Sequence, residues 1–231
     1  MALETTPDAD RLKKRIFIVD DHPLVREWLT TLINQQSDLK VCGEAASAAD
    51  ALKLIGEAKP QVAIVDISME GGSGIELIKS IKASSHDMPE VAIIVLTMHD
   101  EALYCERVLR AGARGYIMKR EATKNVLQAI RRVLKGEMYF SEKMAMIMAG
   151  KFAEGKTPAT NSPVELLSDR ELEVFQLLGR GCSTRQIAEE MHIGFKTVQA
   201  FNARIKEKLK ISTANELLRE AMRWHENQFK E

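Results

Sequence analysis

Three acidic residues directly follow apolar segments in the N-terminal half of the chain. Asp66 ends "QVAIVD" (61–66), and Asp20 and Asp21 stand where "RIFIVD" (15–20) ends. If these segments are neighbouring strands of a parallel sheet, their carboxylates converge at one edge, where like charges repel and raise one another's pKa. A hard divalent cation relieves that repulsion, and Mg²⁺ favours a few carboxylates plus water. The pattern therefore predicts a Mg²⁺ site.

Two other polar residues end apolar segments of the same kind. Thr97 follows "VAIIVL" (91–96), and Lys119 follows "RGYIM" (114–118). A cation, a hydroxyl and an ammonium beside a carboxylate suit phosphoryl transfer, because the attack develops negative charge on the phosphoryl oxygens. Asp66 stands alone before a glycine-containing loop and is the predicted nucleophile, which would form an aspartyl phosphate.

Each of these residues also has an ordinary structural explanation. Asp20 and Asp21 could cap a helix that starts at Pro23. Thr97 could be another cap, and Lys119 a solvated surface charge. Their coincidence at one edge of one sheet favours a functional site over these separate explanations.

Two other kinds of site fit the sequence less well. A nucleotide or flavin site needs a Gly-rich or Ser/Thr-rich loop after the first strand, whereas "DDHP" (20–23) would repel a phosphate in the absence of a metal. A phosphatase of the haloacid type needs a second Asp two residues after the nucleophile, and that position is Ser68.

The elements that must position these residues alternate between strands and helices. With "KVCGEA" (40–45) as the second strand, five such units predict a parallel sheet covered on both faces. That arrangement is a doubly wound, flavodoxin-like α/β domain, in which ligands bind at the carboxyl ends of the strands. The predicted helices are 23–35, 48–58, 74–84, 100–111 and 122–135.

The composition allows two globular domains and favours a cytoplasmic protein. The chain has 231 residues, is 45% hydrophobic, and balances 33 basic residues against 33 acidic ones, so no global field favours a nucleic acid or a membrane surface. No apolar run approaches a membrane span, and "MALETTPDADRLKKR" lacks the apolar core of a secretion signal. Three scattered cysteines (Cys42, Cys105 and Cys182) suggest a reducing cytosol.

The second half of the chain changes character. A linker rich in Gly, Pro, Thr and Ser precedes four short predicted helices, and three Ser/Thr–Glu/Gln pairs have capping-box spacing. The capping pairs are Ser168–Glu171, Ser183–Gln186 and Thr213–Glu216. The predicted helices are 168–179, 183–191, 195–209 and 213–226. The predicted organisation is a mobile tail (1–14), an α/β domain (15–138), a linker (139–164) and a helical domain (165–231).

The predicted helix 195–209 has a face suited to double-stranded DNA. Its apolar side has three- and four-residue spacing, and the other side carries small and polar residues that leave room for a major groove. Between Lys196 and Lys210 there are five bases and one acid, whereas 165–231 has eleven of each. This local basic patch fits a DNA footprint, and a plain helical bundle with a solvated basic face fits it equally well.

The first 135 or so residues resemble the receiver domain of bacterial two-component response regulators. The resemblance rests on "VDDHP", "VDISMEGGSGIEL", "VLTMHDE" and "AGARGYIMK". It implies that Asp66 accepts a phosphoryl group from a sensor histidine kinase. The Mg²⁺ ligands that it implies are Asp20, Asp21, Asp66 and the backbone carbonyl of Ser68. The residues that it implies at the phosphoryl oxygens are Thr97 and Lys119. Tyr116 matches the aromatic residue that changes position on activation, although a half-buried strand tyrosine is the alternative.

One loop departs from the pattern of that family. The family usually has Pro where this chain has Glu70, and a larger residue where it has Gly72. Because Pro restricts φ and stiffens a loop, we expect a looser and more negative loop here. That difference bears on the rates of phosphorylation and dephosphorylation and not on the identity of the acceptor.

The C-terminal segment resembles a LuxR-type helix-turn-helix, as in NarL/FixJ-type regulators. The motifs are "LSDRELEVFQLLGRG", "STRQIAEEM" and "KTVQAFNARIKEKL", with Phe201 where the family often has His. The resemblance implies base-edge contacts by Gln199, Ala200 and Ala203. It implies phosphate contacts by, or proximity to phosphates of, Lys196, Thr197, Arg204 and Lys208. It implies a dimer contact through the last helix by Leu217, Leu218 and Ala221.

The sequence as a whole predicts a dimeric DNA-binding transcription regulator whose receiver is switched by phosphorylation. It predicts no enzyme beyond a receiver that catalyses its own phosphorylation and dephosphorylation. One alternative is a DNA-binding regulator with a structural receiver that is never phosphorylated, which Glu70 allows. A phosphohydrolase is a third class, and the single Asp at position 66 argues against it.

Overall fold

The computed structural model describes residues 13–69, 72–84, 90–99, 101–142, 144–146 and 163–228. The chain forms two compact units, which divide between residues 150 and 151. Within the described residues no helix is both long and apolar enough to cross a membrane.

The first unit alternates strands and helices as the sequence predicts, and every boundary lies within one residue of the predicted one. The strands are β1 (Lys14–Val19), β2 (Leu39–Ala45), β3 (Val62–Val65), β4 (Ala92–Thr97) and β5 (Gly115–Met118). The helices are α1 (Pro23–Asn34), α2 (Ala48–Ala58), α3 (Gly74–Ala83), α4 (Glu101–Ala111) and α5 (Ala122–Leu134).

The five strands form one parallel sheet in the order β2-β1-β3-β4-β5. The chain order reverses between β1 and β3, and a crevice opens at such a point in doubly wound folds. Val19 of β1 lies opposite Val65 of β3, so the residues that follow these two strands emerge side by side. This register confirms the predicted fold and places the loops after β1 and β3 together.

Both faces of the sheet are buried. Alternate strand residues, among them Ile16, Ile64 and Ile94, belong to a core cluster that includes Leu29 of α1 and Ile130 of α5. The residues between them, such as Phe17, Ala63 and Val95, are equally buried on the other face. A strand that is apolar on both sides is typical of a parallel sheet, which is why the sequence shows continuous apolar runs.

Two local pairings of the first unit have no periodic signal in the sequence. Ser68–Met69 and Gly72–Ser73 pair in an antiparallel manner directly after β3. Beyond α5, Tyr139 pairs with the edge strand β5: its N–H donates to Arg114 and its carbonyl accepts from Tyr116, both at 2.9 Å. The first unit therefore continues into the segment predicted to be a linker from residue 139.

The second unit consists of α6 (Asp169–Gly179), α7 (Thr184–Glu190), α8 (Phe195–Leu209) and α9 (Ala214–Gln228), preceded by a short 3₁₀ helix (Pro163–Leu166). Capping boxes start α6 at Ser168 and α7 at Ser183, as predicted. The third predicted pair also bonds reciprocally, since Glu216 N–H donates to Thr213 Oγ1 at 3.2 Å and Thr213 N–H donates to Glu216 Oε2 at 3.1 Å.

The core of the second unit is small and apolar. Val198 and Ile205 of α8 and Ile187 of α7 are fully buried. The rings of Phe175 on α6 and Trp224 on α9 lie 5.6 Å apart, a distance typical of favourable aromatic pairs. His192, in the turn between α7 and α8, has a positive φ of 51°. The turn and the core hold the buried side of α8 in place, and the other side of this helix is exposed.

Candidate functional site

The three predicted carboxylates lie together at the carboxyl ends of β1 and β3. Asp66 N–H donates to the carbonyl of Val19 at 2.8 Å, and this bond ties the loop after β3 to the end of β1. Asp20 and Asp66 are 2% and 3% exposed. Two nearly buried carboxylates at one point are costly unless a cation compensates them.

Lys119, which directly follows β5, supplies a cation to these carboxylates. Its ammonium lies 2.6 Å from Asp66 Oδ2 and 2.7 Å from Asp20 Oδ2. Burial raises the pKa of Asp66, Lys119 opposes that effect, and Asp20 adds to it, so that the pKa lies above its usual range. Burial alone would lower the pKa of Lys119, but Asp66 and Asp20 outweigh it and hold this pKa above its usual range. One ammonium group therefore contacts both buried carboxylates.

The donor atoms of the pocket suit a divalent cation. One possible ligand atom from each of Asp20, Asp21, His22 and Asp66 lies within 4.8 Å of the others. Asp20 Oδ1 accepts from the backbone N–H of His22 at 2.9 Å and lies 3.2 Å from its Nδ1, and Asp66 Oδ1 accepts from the backbone N–H of Ser68 at 3.2 Å. Oxygen-rich sets of this kind are what Mg²⁺ prefers, so the residues present fit the predicted metal.

Thr97 and Lys119, the residues predicted at the phosphoryl oxygens, line the same open cavity, which has a volume of about 530 Å³. Thr97 ends β4, is fully buried and reaches this cavity. The lining residues are His22, Val25, Asp66, Ser68, Thr97, Met98, His99, Lys119 and Arg120. The predicted acceptor, hydroxyl and ammonium therefore share one solvent-accessible space.

Tyr116 is connected to this cavity through the loop after β4. It is 2% exposed, and its hydroxyl donates to the carbonyl oxygen of His99 at 2.9 Å. His99 Nε2 shares a 2.5 Å hydrogen bond with Ser68 Oγ, and its ring lies 4.4 Å from that of Tyr104. Tyr116 is thus tied to the loop that carries Thr97 and, through His99, to the loop that follows Asp66.

Two histidines of the pocket are absent from the sequence-based set. His22 contacts both N-terminal carboxylates, with Nδ1 2.7 Å from Asp21 Oδ1 and 3.2 Å from Asp20 Oδ1. His99 bridges to Ser68 across 31 positions of sequence. The signal for His22 was its place directly after the Asp pair, whereas the contact of His99 depends on tertiary structure.

The residues predicted to meet DNA lie on the exposed side of α8. All seven are exposed: Lys196, Thr197, Gln199, Ala200, Ala203, Arg204 and Lys208. The helix is 15 residues long and starts at Phe195, as predicted. Its exposed side therefore offers small, polar and basic groups to a partner.

Lys208, although exposed, also has a partner within the unit. Its ammonium donates to Glu171 Oε2 at 2.6 Å, and Glu171 is 3% exposed. Burial alone would raise the pKa of Glu171, but hydrogen bonds from Lys208 and Ser168 outweigh it and hold this pKa below its usual range. Lys208 therefore also ties α8 to the start of α6, and its predicted place at or near a phosphate stays a prediction.

Two residues of the predicted dimer contact are buried within the unit. Leu217 and Ala221 are 3% and 0% exposed, because this side of α9 packs against α6. A Cβ on Gly179 would come within 2.7 Å of the carbonyl oxygen of Ala221, which shows how close the two helices are. Leu218 and Met222 are the exposed apolar residues of α9, at 38% and 42%. A dimer contact on this helix must use that side.

Comparison with known proteins agrees with both units. The model of the response regulator receiver domain matches residues 16–131, and that of the bacterial regulatory proteins of the luxR family matches residues 165–221. The oxygen regulatory protein NreC of Staphylococcus haemolyticus is 37% identical over 213 residues, which cover 90% of this chain and 97% of that protein.

Solved structures give the same result. A LuxR-family two-component response regulator from Aurantimonas sp. SI85-9A1 is 32% identical, with a TM-score of 0.55, and the match covers 61% of this chain and 99% of that one. RcsB from Salmonella enterica serovar Typhimurium, bound to promoter rprA with the phosphomimetic BeF3-, is 25% identical, with a TM-score of 0.55 and coverage of 90% and 97%.

The sheet with its acidic pocket and the helical unit with its exposed helix define a two-component response regulator with a DNA-binding output domain. Within that class the chain belongs to the LuxR family of NarL/FixJ-type regulators. It is a transcription factor regulated by phosphorylation.

Proposed function

We propose that Asp66 is the phosphoryl acceptor and that its phosphorylation controls the binding of α8 to an operator. The observation that carries this proposal is the ammonium of Lys119, which lies on Asp66 in a pocket that also contains Thr97. A carboxylate that is only structural has no need of an open cavity that a hydroxyl and a cation also line. The geometry supports an acceptor that is both buried and reachable.

In the proposed step, a carboxylate oxygen of Asp66 attacks the phosphorus of a phosphohistidine on a sensor kinase. The new O–P bond forms as the P–N bond breaks, and the bonding electrons leave with the imidazole. Lys119 stabilises the charge that develops on the phosphoryl oxygens, and the hydroxyl of Thr97 donates to one of them. After transfer these two contacts are present only in the phosphorylated protein, so they can favour an active conformation.

We assign Asp20, Asp21, Asp66 and the backbone carbonyl of Ser68 as the residues that would hold Mg²⁺. When bound, this ion supplies positive charge to the phosphoryl oxygens and relieves the repulsion among the carboxylates. The protein's own part is to hold these oxygens at the ends of β1 and β3. His22, whose imidazole contacts Asp20 and Asp21, orients these carboxylates.

The proposed partners are a sensor histidine kinase, double-stranded operator DNA and a second copy of the chain. RcsB bound to promoter DNA with a phosphomimetic supports the DNA partner. In α8, Gln199, Ala200 and Ala203 would face base edges. Phosphates would be met by Lys196, Thr197 and Arg204. We further propose that the protein acts in the cytoplasm, where its DNA and its reduced cysteines would both be found.

Replacing Asp66 by Asn tests the acceptor with an almost isosteric change. We expect wild-type protein to gain one phosphoryl group from acetyl phosphate with Mg²⁺, and the Asp66→Asn variant to gain none, because an amide is a far poorer nucleophile. Intact mass measures the incorporation. Asp50→Asn, which changes an exposed carboxylate of α2, is the matched control and should be labelled like wild type.

The same assay separates the competing functions. A wild-type chain that gains no phosphoryl group but still binds DNA would support a regulator with a structural receiver. Continuous release of phosphate from a monoester substrate would support a phosphohydrolase. Undiminished labelling of Asp66→Asn would place the acceptor elsewhere.

A further inference from the structure

Phe195 is an aromatic side chain in an unusual place. It is the first residue of α8 and is 49% exposed. Among the large apolar side chains that are exposed in the described parts of the chain, it is the only aromatic one. The other phenylalanine of this helix, Phe201, is partly buried against the unit. About half of this side chain stays in water in the free protein, so a partner that covered it would gain the free energy of burying that apolar surface.

The position of Phe195 relates it to the proposed base-reading residues. Residues four apart lie on the same side of a helix, and Phe195 is therefore one turn before Gln199. Both are exposed. In a helix-turn-helix, the N-terminal part of the recognition helix contacts base edges in the major groove. The ring is thus placed where α8 would enter the groove.

The chemistry of the ring limits what it could contact there. It has no hydrogen-bond donor or acceptor and no charge, so it cannot pair with a phosphate or with a polar base edge. The apolar group that the major groove displays is the C5-methyl of thymine. Lys196, the next residue, is exposed and cationic, so the phosphate contact at this end of the helix has its own residue.

We propose that Phe195 is a specificity-determining residue that packs on the C5-methyl group of one thymine in each half-site. This proposal rests on the proposed entry of α8 into the major groove. It adds a thymine to the sequence preference at a position that Gln199 does not read. Ala200 and Ala203, which are small and exposed, leave the ring free to approach the groove.

The test removes the methyl group from the DNA alone. A binding duplex is selected from a random pool by the wild-type protein, and each thymine is replaced in turn by deoxyuridine. We expect one position per half-site where wild type loses about fourfold in affinity, which corresponds to about one buried methyl group. The Phe195→Ala variant should bind thymine and uracil equally at that position. Thermal unfolding of the variant should match wild type, because the ring is exposed.

Three control variants locate any failure. Leu166→Ala truncates another exposed apolar residue of the unit, at 64% exposure, and should keep the uracil sensitivity. Gln199→Ala should keep it as well and lose preference at a different base pair. Lys196→Ala should weaken all sequences alike and reduce the salt slope by roughly 1.

The proposal is overturned if wild type is indifferent to every deoxyuridine, or if Phe195→Ala keeps the same sensitivity. If these results come with the expected effects of Lys196→Ala and Gln199→Ala, only the role of Phe195 is wrong. If Phe195→Ala, Lys196→Ala and Gln199→Ala all bind like wild type, α8 does not enter the groove and the proposed function fails as well.

Discussion

Asp66, as the proposed nucleophile, must stay ionised in a site that favours its neutral form. Burial raises the pKa of Asp66, and the ammonium of Lys119 is the group that counteracts this. The same ammonium also contacts Asp20. Phosphorylation would place new anionic oxygens beside Lys119, and this redistribution of its contacts is the differential interaction that a switch needs.

Lys208 forms an ion pair with a buried carboxylate, and this pair gives a prediction. Lys208→Ala removes the partner of Glu171, so we expect the second unit to lose about 1–3 kcal/mol of unfolding free energy. We expect the salt slope of DNA binding to change little, because Glu171 already neutralises this ammonium. The fluorescence of Trp224, in a Trp28→Phe background, reports unfolding of this unit alone, since the chain has two tryptophans.

The pH dependence of the same variant provides its control. The pKa of Glu171 is lower in the folded state than its ordinary value of 4.5, so its contribution is present above that value and is lost as pH falls through the folded pKa. Lys208→Ala should therefore weaken the acid-dependent loss of stability. A lower salt slope with unchanged stability would contradict the assignment and return Lys208 to the DNA contacts.

The residues of the candidate site that follow strands could be predicted from the sequence, because the ends of parallel strands converge. Asp20, Asp66, Thr97 and Lys119 each follow an apolar run, and a parallel sheet brings such residues to one edge. The pairing of Ser68 with His99 joins two loops that no periodic pattern relates. The pairing of Lys208 with Glu171 likewise depends on how α8 packs on α6, and no sequence pattern indicates that one cation of the basic face is paired within the unit.

At the scale of elements, the glycine-containing loop after β3 explains why Asp66, the proposed acceptor, is held firmly. Gly74 begins α3, and its N–H donates to the carbonyl of Ile67 at 3.1 Å. A Cβ on Gly74 would stand 2.0 Å from the carbonyl oxygen of Asp66. The start of α3 therefore packs directly on the backbone of the acceptor, and only glycine allows that approach.

The close packing at Gly74 yields the next prediction. Gly74→Ala must displace either α3 or Asp66, so we expect a loss on the order of 1–3 kcal/mol or more in stability and slower labelling by acetyl phosphate. The matched variant is Gly72→Ala, whose Cβ would approach only the methyl of Ala48, at 3.0 Å. It should be labelled at nearly the wild-type rate. Equal behaviour of the two variants would show that the approach at Gly74 does not position the acceptor.

The elements themselves were predictable where a pattern is long enough. The predicted and observed bounds of α8 are identical at 195–209, because apolar periodicity and a following turn both indicate them. The Ser68–Met69 and Gly72–Ser73 pair has two residues a side, too short for any periodicity. The pairing of Tyr139 with β5 is a tertiary contact, and for that reason the predicted linker began too early.

At the scale of the molecule, the chain combines two units that each have a core of their own. Phosphorylation of one can affect the other only by shifting a population that the second unit also senses. Dimerisation is one such coupling, since two recognition helices on one operator gain affinity from their linkage. The face available for it on α9 is narrow, because Leu217 and Ala221 are buried within the unit.

The last prediction concerns that face. Leu218 and Met222 are four residues apart on α9 and exposed, and in a two-fold interface such residues meet their own copies near the axis. Leu218→Glu would place two like charges there, so we expect it to abolish the dimer formed after acetyl phosphate treatment, while labelling of Asp66 continues. Light scattering measures the dimer, and intact mass measures the label. Leu217→Ala is the contrasting variant: because Leu217 is buried, it should lose about 2–5 kcal/mol of stability instead. A Leu218→Glu protein that still dimerises like wild type would show that the copies meet elsewhere.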